Sequence, residues 1–228
     1  MSELASKIRR KWTKLRLQPI RVYCLHHVCA EFNAESMNAG DWMQIDEFKT
    51  KVMAMQQNGV EFISLTEAYD KIANDKFRNH KYVVFTFDDG NASLKEILPW
   101  LEEQKIPTTL FINGKYLDGK SYRKNPKEKY LTYEELFAMT SPLVEIGSHG
   151  WEHIRATEQT RDEFEKSVMQ NMILLNTHPR HVPFYAYTYG DHNAALDAIL
   201  QKSSILPVLI DGLNNYNDTQ IIHRELLK

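Results

Sequence analysis

The sequence Thr86-Phe87-Asp88-Asp89-Gly90 places two carboxylates directly after a short apolar run, residues 81–85. β-Branched and aromatic residues dominate that run, which predicts a buried strand ending at Phe87. Two neighbouring acids at the end of a buried strand repel each other, so at least one of them needs a cation or a proton. A metal ion meets that need if histidines lie close enough to share it.

Two histidines follow a second strand-like run, residues 143–147. They are His149 and His153 in the segment SHGWEH, residues 148–153. On a helical turn, a spacing of four residues would point both imidazoles the same way, as zinc-binding histidine pairs require. Two imidazoles and one carboxylate would leave zinc an open coordination position, and the second carboxylate would be free to act as a general base. The residues alone do not say which aspartate takes which role.

The whole chain alternates strand-like and helix-like segments, which predicts one α/β domain built as a parallel TIM-like barrel. The strand-like segments are residues 20–25, 60–65, 81–87, 108–113, 143–147, 182–187, 205–210 and 220–226. Catalytic groups of such barrels lie at the carboxyl ends of the strands. The candidate residues found at those ends are His26, Asp88, Asp89, His149, His153 and Tyr189.

One long polar insertion, residues 114–130, has no helical or strand periodicity and lies on the same rim as the two acids. Insertions of this length are either flexible or functional. We expect its tyrosines, Tyr116, Tyr122 and Tyr130, to be exposed to solvent.

Composition narrows the classes of function. The 228 residues carry a formal net charge of -2, which gives no electrostatic case for a nucleic-acid partner. No apolar run approaches the roughly 20 residues of a transmembrane helix. Two cysteines, Cys24 and Cys29, are too few for a disulfide framework, and the first residues lack the apolar region of a secretory signal. These features predict a cytoplasmic location.

Residues 1–18 are expected to be a basic extension that precedes a single domain, residues 19–228. Ile8, Trp12 and Leu15 share one helical face and are surrounded by basic residues. Such a helix could rest on an anionic membrane surface as a peripheral contact. A solvated helix docked through its three apolar side chains is the simpler alternative, and we favour it because the apolar stripe is short.

Four segments together resemble the polysaccharide deacetylase family, also called the NodB-homology or carbohydrate esterase 4 group. They are LHHV at residues 25–28, TFDDG at 86–90, SHGWEH at 148–153 and YAYTYG at 185–190. The likeness extends from His26 to Arg224. It implies a distorted (β/α)7-type barrel that removes acetyl groups from N-acetylated sugars with a divalent metal. Zn²⁺ is the expected metal, with Co²⁺ or Ni²⁺ as alternatives, and a carbohydrate is the expected partner.

The resemblance also implies roles for the residues of the two motifs. The first aspartate, Asp88, would be the general base that takes the proton of the attacking water. Asp89, His149 and His153 would hold the metal.

The early segment LHHV resembles family members that deacetylate poly-N-acetylglucosamine, whose acid histidine lies in a Tyr-His-x-Val element. His26 would then protonate the departing amine, and we favour it over His223 near the C-terminus. The backbone N–H of Tyr189 would stabilise the oxyanion. A deprotonated Asp88 and a protonated His26 in the active form predict a bell-shaped pH profile.

Two departures from the family pattern concern the rest of the site. Thr188 stands where the family often has proline before the Tyr-Gly pair. The arginine that pairs with the base in many members has no clear equivalent: Arg180 is out of register, and Arg224 is expected to be structural.

Three functions are therefore compared. The leading one is a metal-dependent N-deacetylase acting on a lipid-linked or nucleotide-linked glycan precursor. The second is a catalytically silent barrel that binds carbohydrate. The third is another hydrolysis on the same metal site, such as O-deacetylation or cleavage of a non-sugar amide.

Overall fold

Parallel strands form the centre of the molecule in the computed structural model, which describes residues 20–74, 80–124, 126–213, 215 and 220–227. The predicted basic extension lies outside these residues. The strands are β1 Arg21–Leu25, β2 His27–Cys29, β3 Trp42–Gln44, β4 Val60–Phe62, β5 Lys81–Phe87, β6 Thr108–Ile112, β7 Val144–Ser148, β8 His181–Ala186, β9 Leu206–Ile210 and β10 Ile222–Leu226. The α-helices are α1 Ile45–Gln57, α2 Leu65–Ala73, α3 Leu94–Glu103, α4 Tyr133–Phe137, α5 Arg161–Leu175 and α6 Ala194–Lys202.

Seven of the described strands close a barrel. The order of pairing is β1, β5, β6, β7, β8, β9, β10 and back to β1, and every pairing is parallel. Strand β4 pairs with the first residues of β5, and β2 pairs with β3 in a separate small sheet that the sequence did not predict. The predicted α/β barrel of the distorted (β/α)7-8 type is confirmed.

Successive side chains of the barrel strands point alternately into the barrel and toward the surrounding helices, which gives an inner and an outer hydrophobic core. Val84 of β5 packs with Val22 of β1 and Phe111 of β6, while its neighbours Val83 and Phe85 belong to the cluster that includes buried residues of α1 and α3. Successive side chains of a strand point to opposite faces, so this is the division that a barrel covered by helices requires. Gly147 of β7 permits close approach, since an added Cβ would lie 2.6 Å from a ring carbon of Phe111.

Helix starts follow local chemistry. Thr160 and Thr132 both form the capping boxes that their sequences predict. Asn91 bridges to Tyr130, and helix α3 begins three residues later at Leu94. Ser64 caps helix α2, since its side chain accepts a hydrogen bond from the Glu67 N–H.

The insertion is packed against the barrel, and the prediction that all its tyrosines are exposed is wrong for two of them. Tyr116 and Tyr130 are buried and stack with ring centroids 4.8 Å apart, whereas Tyr122 is 46% exposed. The Leu131 N–H donates to the Gly90 carbonyl oxygen at 2.9 Å. Stacking and this backbone hydrogen bond tie the end of the insertion to the loop that carries the two aspartates. No helix in the described part of the chain is long and apolar enough to cross a membrane.

Candidate active site

Asp88 and Asp89 diverge at the carboxyl end of β5 because the backbone turns there. Asp89 and Gly90 have φ angles of 72° and 73°, in the left-handed region. The Asp88 N–H donates to the Leu25 carbonyl oxygen at 2.9 Å, which anchors the turn to β1. Both carboxylates are buried, and each meets a different set of partners.

Asp89 faces the two histidines. Its Oδ1 lies 3.2 Å from Nε2 of His153 and 3.5 Å from Nε2 of His149. Nδ1 of His149 lies 2.7 Å from the Ala186 carbonyl oxygen, to which it donates, so its Nε2 keeps a lone pair directed at Asp89. Burial would raise the pKa of Asp89, but the two imidazoles outweigh it and hold the pKa well below its usual range.

These three groups make a candidate divalent-metal site. Oδ1 of Asp89 is buried and receives no hydrogen bond of good geometry from any described residue. Burial lowers the pKa of His153, although Asp89 has the opposite effect. The lowered pKa favours a neutral imidazole with a free lone pair. An unpaired carboxylate oxygen facing two imidazole nitrogens is the donor set of a catalytic zinc site. The residues present therefore fit a divalent cation.

The histidines meet Asp89 without the helical turn that their spacing predicted. Residues 151–153 form a bend, and Gly150 has a φ of 81°, which a helix cannot accommodate. The side-chain amide of Asn113 donates to the carbonyl oxygens of residues 149 and 150 at 2.6 and 3.1 Å. Asn113, directly after β6, therefore holds the loop that carries both histidines, and this loop positions the two imidazoles.

Arg224 corrects the prediction that no arginine pairs with the base. Its guanidinium donates to Oδ1 of Asp88 at 2.7 Å and to Oδ2 at 2.9 Å, and its side chain is fully buried. Burial would raise the pKa of Asp88, but Arg224 and the His149 imidazole lower it to about 2. Arg180, the other candidate, donates to the carbonyl oxygens of Val144 and Pro142. Asp88 is therefore ionised and held in one orientation.

His26 comes to the same carboxylate from the end of β1. One of its ring nitrogens, the thiol of Cys24 and a carboxylate oxygen of Asp88 all lie within 4.8 Å of one another. His27 is buried and its Nδ1 contacts Ser93 Oγ at 3.0 Å, so the two neighbours turn apart as strand alternation predicts. His223 is hydrogen-bonded to Asp211 at 2.8 Å.

Tyr189 lies at the rim next to the metal site. Its φ is 59°, its side chain is 48% exposed, and its ring meets the His153 ring edge at a centroid distance of 4.6 Å. The hydroxyl of Thr188 donates to the Ile154 carbonyl oxygen at 2.6 Å, a contact that proline could not make. Thr188 thus fastens this loop to the loop that follows His153.

Sequence reasoning missed Arg123, which the insertion brings to the site. Its guanidinium donates to Oδ2 of Asp89 at 3.0 Å, opposite the oxygen that faces the histidines. The available signal was the predicted location of the insertion on the same rim as the acids.

Comparison with known proteins finds a matching family model and a curated relative. The family model described as polysaccharide deacetylase matches residues 75–207. YxkH of Bacillus subtilis, curated under the name "Putative polysaccharide deacetylase", is 24% identical over 162 residues. That match covers 69% of this chain and 55% of YxkH, so the chain spans about half the length of its curated relative.

Solved structures share the fold. IcaB from Ammonifex degensii superposes with a TM-score of 0.76 at 23% identity, covering 93% of this chain and 94% of IcaB. The Streptococcus pyogenes deacetylase PplD, solved in complex with acetate, gives 0.76 at 20% identity and covers 92% of each chain. A de-N-acetylase from Aggregatibacter actinomycetemcomitans gives 0.72 at 19% identity, covering 92% of this chain and 95% of that one.

Proposed function

Because this chain belongs to the polysaccharide deacetylase family, we propose that it is a metal-dependent hydrolase that removes acetyl groups from N-acetylated sugars. One observation carries the proposal: an unpaired oxygen of Asp89 faces two imidazole nitrogens while a separate, ionised Asp88 stands beside them. Nε2 of His149 lies 4.0 Å from Oδ2 of Asp88. A cation site and an ionised carboxylate that is not part of it are thus adjacent, as metal-assisted hydrolysis of an acyl group requires.

Zinc is the proposed metal, held by Asp89, His149 and His153. Two imidazoles and a carboxylate are borderline donors that suit Zn²⁺, and Co²⁺ or Ni²⁺ would accept the same set. When bound, the cation would supply Lewis acidity at the acetyl carbonyl. Arg123 holds the second oxygen of Asp89, which leaves Oδ1 directed at the histidines.

Asp88 acts as the general base in this proposal and His26 as the general acid. Asp88 takes a proton from a water molecule as the water oxygen attacks the acetyl carbon. His26 gives a proton to the sugar nitrogen as the C–N bond breaks. The products are acetate and a free amine. Arg224 keeps Asp88 ionised and fixes its orientation. The lowered pKa also makes Asp88 a weaker base, since a general base works best when its pKa is near the pH of the reaction. The backbone N–H of Tyr189 is the proposed oxyanion donor.

An N-acetylated amino sugar is the proposed substrate class. Support comes from the LHHV segment, whose His26 the fold brings near Asp88, and from the structural likeness to a protein named de-N-acetylase. A cytoplasmic glycan precursor and peripheral membrane contact through residues 1–18 stay predictions.

Acetate release tests the proposal. Chitooligosaccharides and acetylated xylan are incubated with protein stripped of metal by a chelator and then reloaded with Zn²⁺ or Co²⁺. We expect metal-dependent release from the chitooligosaccharides and little from xylan. The opposite preference would support O-deacetylation. No release from either, combined with glycan binding, would support a silent binding barrel.

A further inference from the structure

A second group of potential metal ligands adjoins the candidate metal site. It consists of Cys24, His26 and Asp88, which offer a thiol, an imidazole and a carboxylate whose ligand atoms all lie within 4.8 Å of one another. Asp88 and His26 have roles in the proposed reaction, but Cys24 has none. Cys24 is fully buried, and the fold places it on the strand next to the base.

The spacing of two of these donors already suits a small cation. Sγ of Cys24 donates its proton to Oδ2 of Asp88 across 3.3 Å. Ligand atoms around a tetrahedral zinc are separated by roughly 3.3 to 3.8 Å, given Zn–S and Zn–O bonds of about 2.3 and 2.1 Å. A cation that replaced the thiol proton would therefore need little movement of either side chain. The third donor, His26, is only half-buried, so its ring is not packed on all sides.

We propose that Cys24, His26 and Asp88 form a second, weaker site for a thiophilic divalent cation, Zn²⁺ or Cd²⁺, and that filling this site inhibits the enzyme. The binding step exchanges one proton for one cation: the S–H bond breaks, the proton goes to solvent, and the thiolate coordinates the ion. No oxidation or reduction is involved. The inhibition clause rests on the proposed function, whereas the binding clause does not.

Charge makes the second site weaker than the first. Asp88 already pairs with the buried guanidinium of Arg224, and the first cation would lie beside His149, whose Nε2 is 4.0 Å from Asp88. A thiol has to lose its proton to bind the cation, so binding strengthens as pH rises. Mg²⁺ and Ca²⁺ prefer oxygen ligands and gain little from a thiolate, so they should not compete.

Inhibition follows from the identity of the donors. A cation on Asp88 occupies the lone pair that would accept a proton from water. The same cation uses the nitrogen of His26 that would protonate the leaving amine. Both proton transfers stop together, while the groups that hold the first cation are untouched.

Cadmium titration tests the binding clause. The protein is loaded with one equivalent of Zn²⁺, freed of excess metal and titrated with Cd²⁺, while near-ultraviolet thiolate-to-cadmium absorption and bound metal are measured. We expect the wild type to develop the band and to bind a second equivalent. Cys24→Ala should lose both. Cys29→Ala is the matched control, because Cys29 is also buried but its thiol donates to the Glu31 carbonyl oxygen and not to a carboxylate, and it should keep both.

Three results would overturn the binding clause: a band that persists in Cys24→Ala, a band that disappears in Cys29→Ala, or a wild type that stops at one equivalent. If Cys24→Ala does not fold, His26→Gln serves instead. It keeps the thiol, and loss of this ligand should weaken the second cadmium equivalent by more than about tenfold, since even outer-shell partners of a metal contribute that much. Unchanged cadmium affinity in His26→Gln would equally refute the site.

The inhibition clause is tested in the same titration. Acetate release should fall in step with the growth of the band, and an excess of Mg²⁺ should leave it unchanged. Undiminished release at full band intensity would refute inhibition but not binding. If the one-equivalent protein releases no acetate from any substrate, the proposed function fails, while the cadmium result stands or falls independently.

Discussion

Arg224 shows how much a single side chain contributes to this site. Its guanidinium binds both oxygens of Asp88 and the hydroxyl of Thr86, and it lies over the ring of Phe111. Both members of the ion pair are buried, so neither charge has water as an alternative partner. Removing one partner of such a pair leaves an uncompensated charge in the interior.

Arg224→Met should therefore destabilise the protein by about 3–5 kcal/mol in urea unfolding. Adding Asp88→Asn to that variant should recover part of the loss, because the stranded charge is removed as well. Arg21→Met is the control: Arg21 also makes an ion pair across the β1–β10 pairing, with Glu225, but its side chain is 51% exposed. That change should cost less than about 1 kcal/mol. Equal losses of unfolding free energy in the two variants would contradict a buried, stabilising ion pair between Arg224 and Asp88.

A metal analysis of variants should distinguish the proposed metal-ligand histidines from the proposed general acid. His149→Ala removes a lone pair directed at Asp89, so the purified variant should lose its metal and its activity. His26→Ala should keep the metal and lower turnover by about 10²–10⁴-fold, the usual contribution of a general acid. Metal content is measured by atomic emission and turnover by acetate release. A His26 variant that loses metal while a His149 variant keeps it would reverse the two roles.

At the scale of elements, Glu145 of β7 holds the start of a helix from across the barrel. Its Oε2 accepts hydrogen bonds from the N–H groups of Leu65 and Thr66 at 3.1 and 3.3 Å and from the Thr109 hydroxyl at 3.0 Å. The first N–H groups of a helix lack partners within it, and a carboxylate there also meets the positive end of the helix dipole.

Glu145→Ala should destabilise the protein by about 2–3 kcal/mol, because two buried donors, the Leu65 N–H and the Thr109 hydroxyl, and the partly buried Thr66 N–H lose their acceptor. Glu61→Ala is the control, since Glu61 lies at an exposed position of β4, the strand before α2, and should change the free energy of unfolding by less than about 0.5 kcal/mol. Chemical denaturation measures both. A Glu145 variant as stable as the control would show that the helix start does not depend on this carboxylate.

His178 links α4 to the loop before β8 and makes stability depend on pH. Its Nδ1 accepts from the Arg180 N–H at 3.1 Å, so Nε2 carries the proton that is donated to the Leu136 carbonyl oxygen at 3.0 Å. Burial lowers the pKa of this imidazole below its ordinary value of about 6.5. The folded protein then binds fewer protons than the unfolded chain just below that pH.

Stability contributed by neutral His178 should thus be complete above about pH 6.5 and be lost as the pH falls through the lowered folded-state pKa, by at most about 1.4 kcal/mol per pH unit. The free energy of unfolding is measured between pH 8 and about pH 5 for the wild type and for His178→Gln. The variant should show a shallower decline. Parallel curves would mean that other groups cause the acid sensitivity.

At the scale of the whole molecule, the candidate metal site joins two separate parts of the barrel rim. Asp89 follows β5, and His149 and His153 follow β7, with β6 between them. A cation held by all three would bind the folded chain and not the unfolded one, so it should stabilise the entire domain.

Zn²⁺ at a hundred times its dissociation constant should add about 2.7 kcal/mol. For a chain of this size that corresponds to a rise in Tm of roughly 5–10 °C, measured calorimetrically before and after chelation. Asp89→Asn should abolish the rise, whereas Asp211→Asn, a rim carboxylate paired with His223, should preserve it. A zinc-induced rise of the same size in Asp89→Asn would place the cation elsewhere.

The amino-acid sequence by itself determined the barrel and the place of its chemistry. Hydrophobic runs ended at Asp88, His149 and His26, and parallel strands bring their carboxyl ends to one rim, so these residues had to converge. Local signals were equally sufficient for the capping boxes at Thr132 and Thr160, because a capping box depends only on residues three apart.

Only the tertiary structure decided which groups pair inside that rim. Arg224 meets Asp88 across 136 positions of sequence because the register between β10, β1 and β5 turns its side chain inward. Tyr116 and Tyr130 are buried because the insertion folds back on the aspartate loop. No local pattern encodes either contact, since strand register and loop packing are set by the closure of the barrel as a whole.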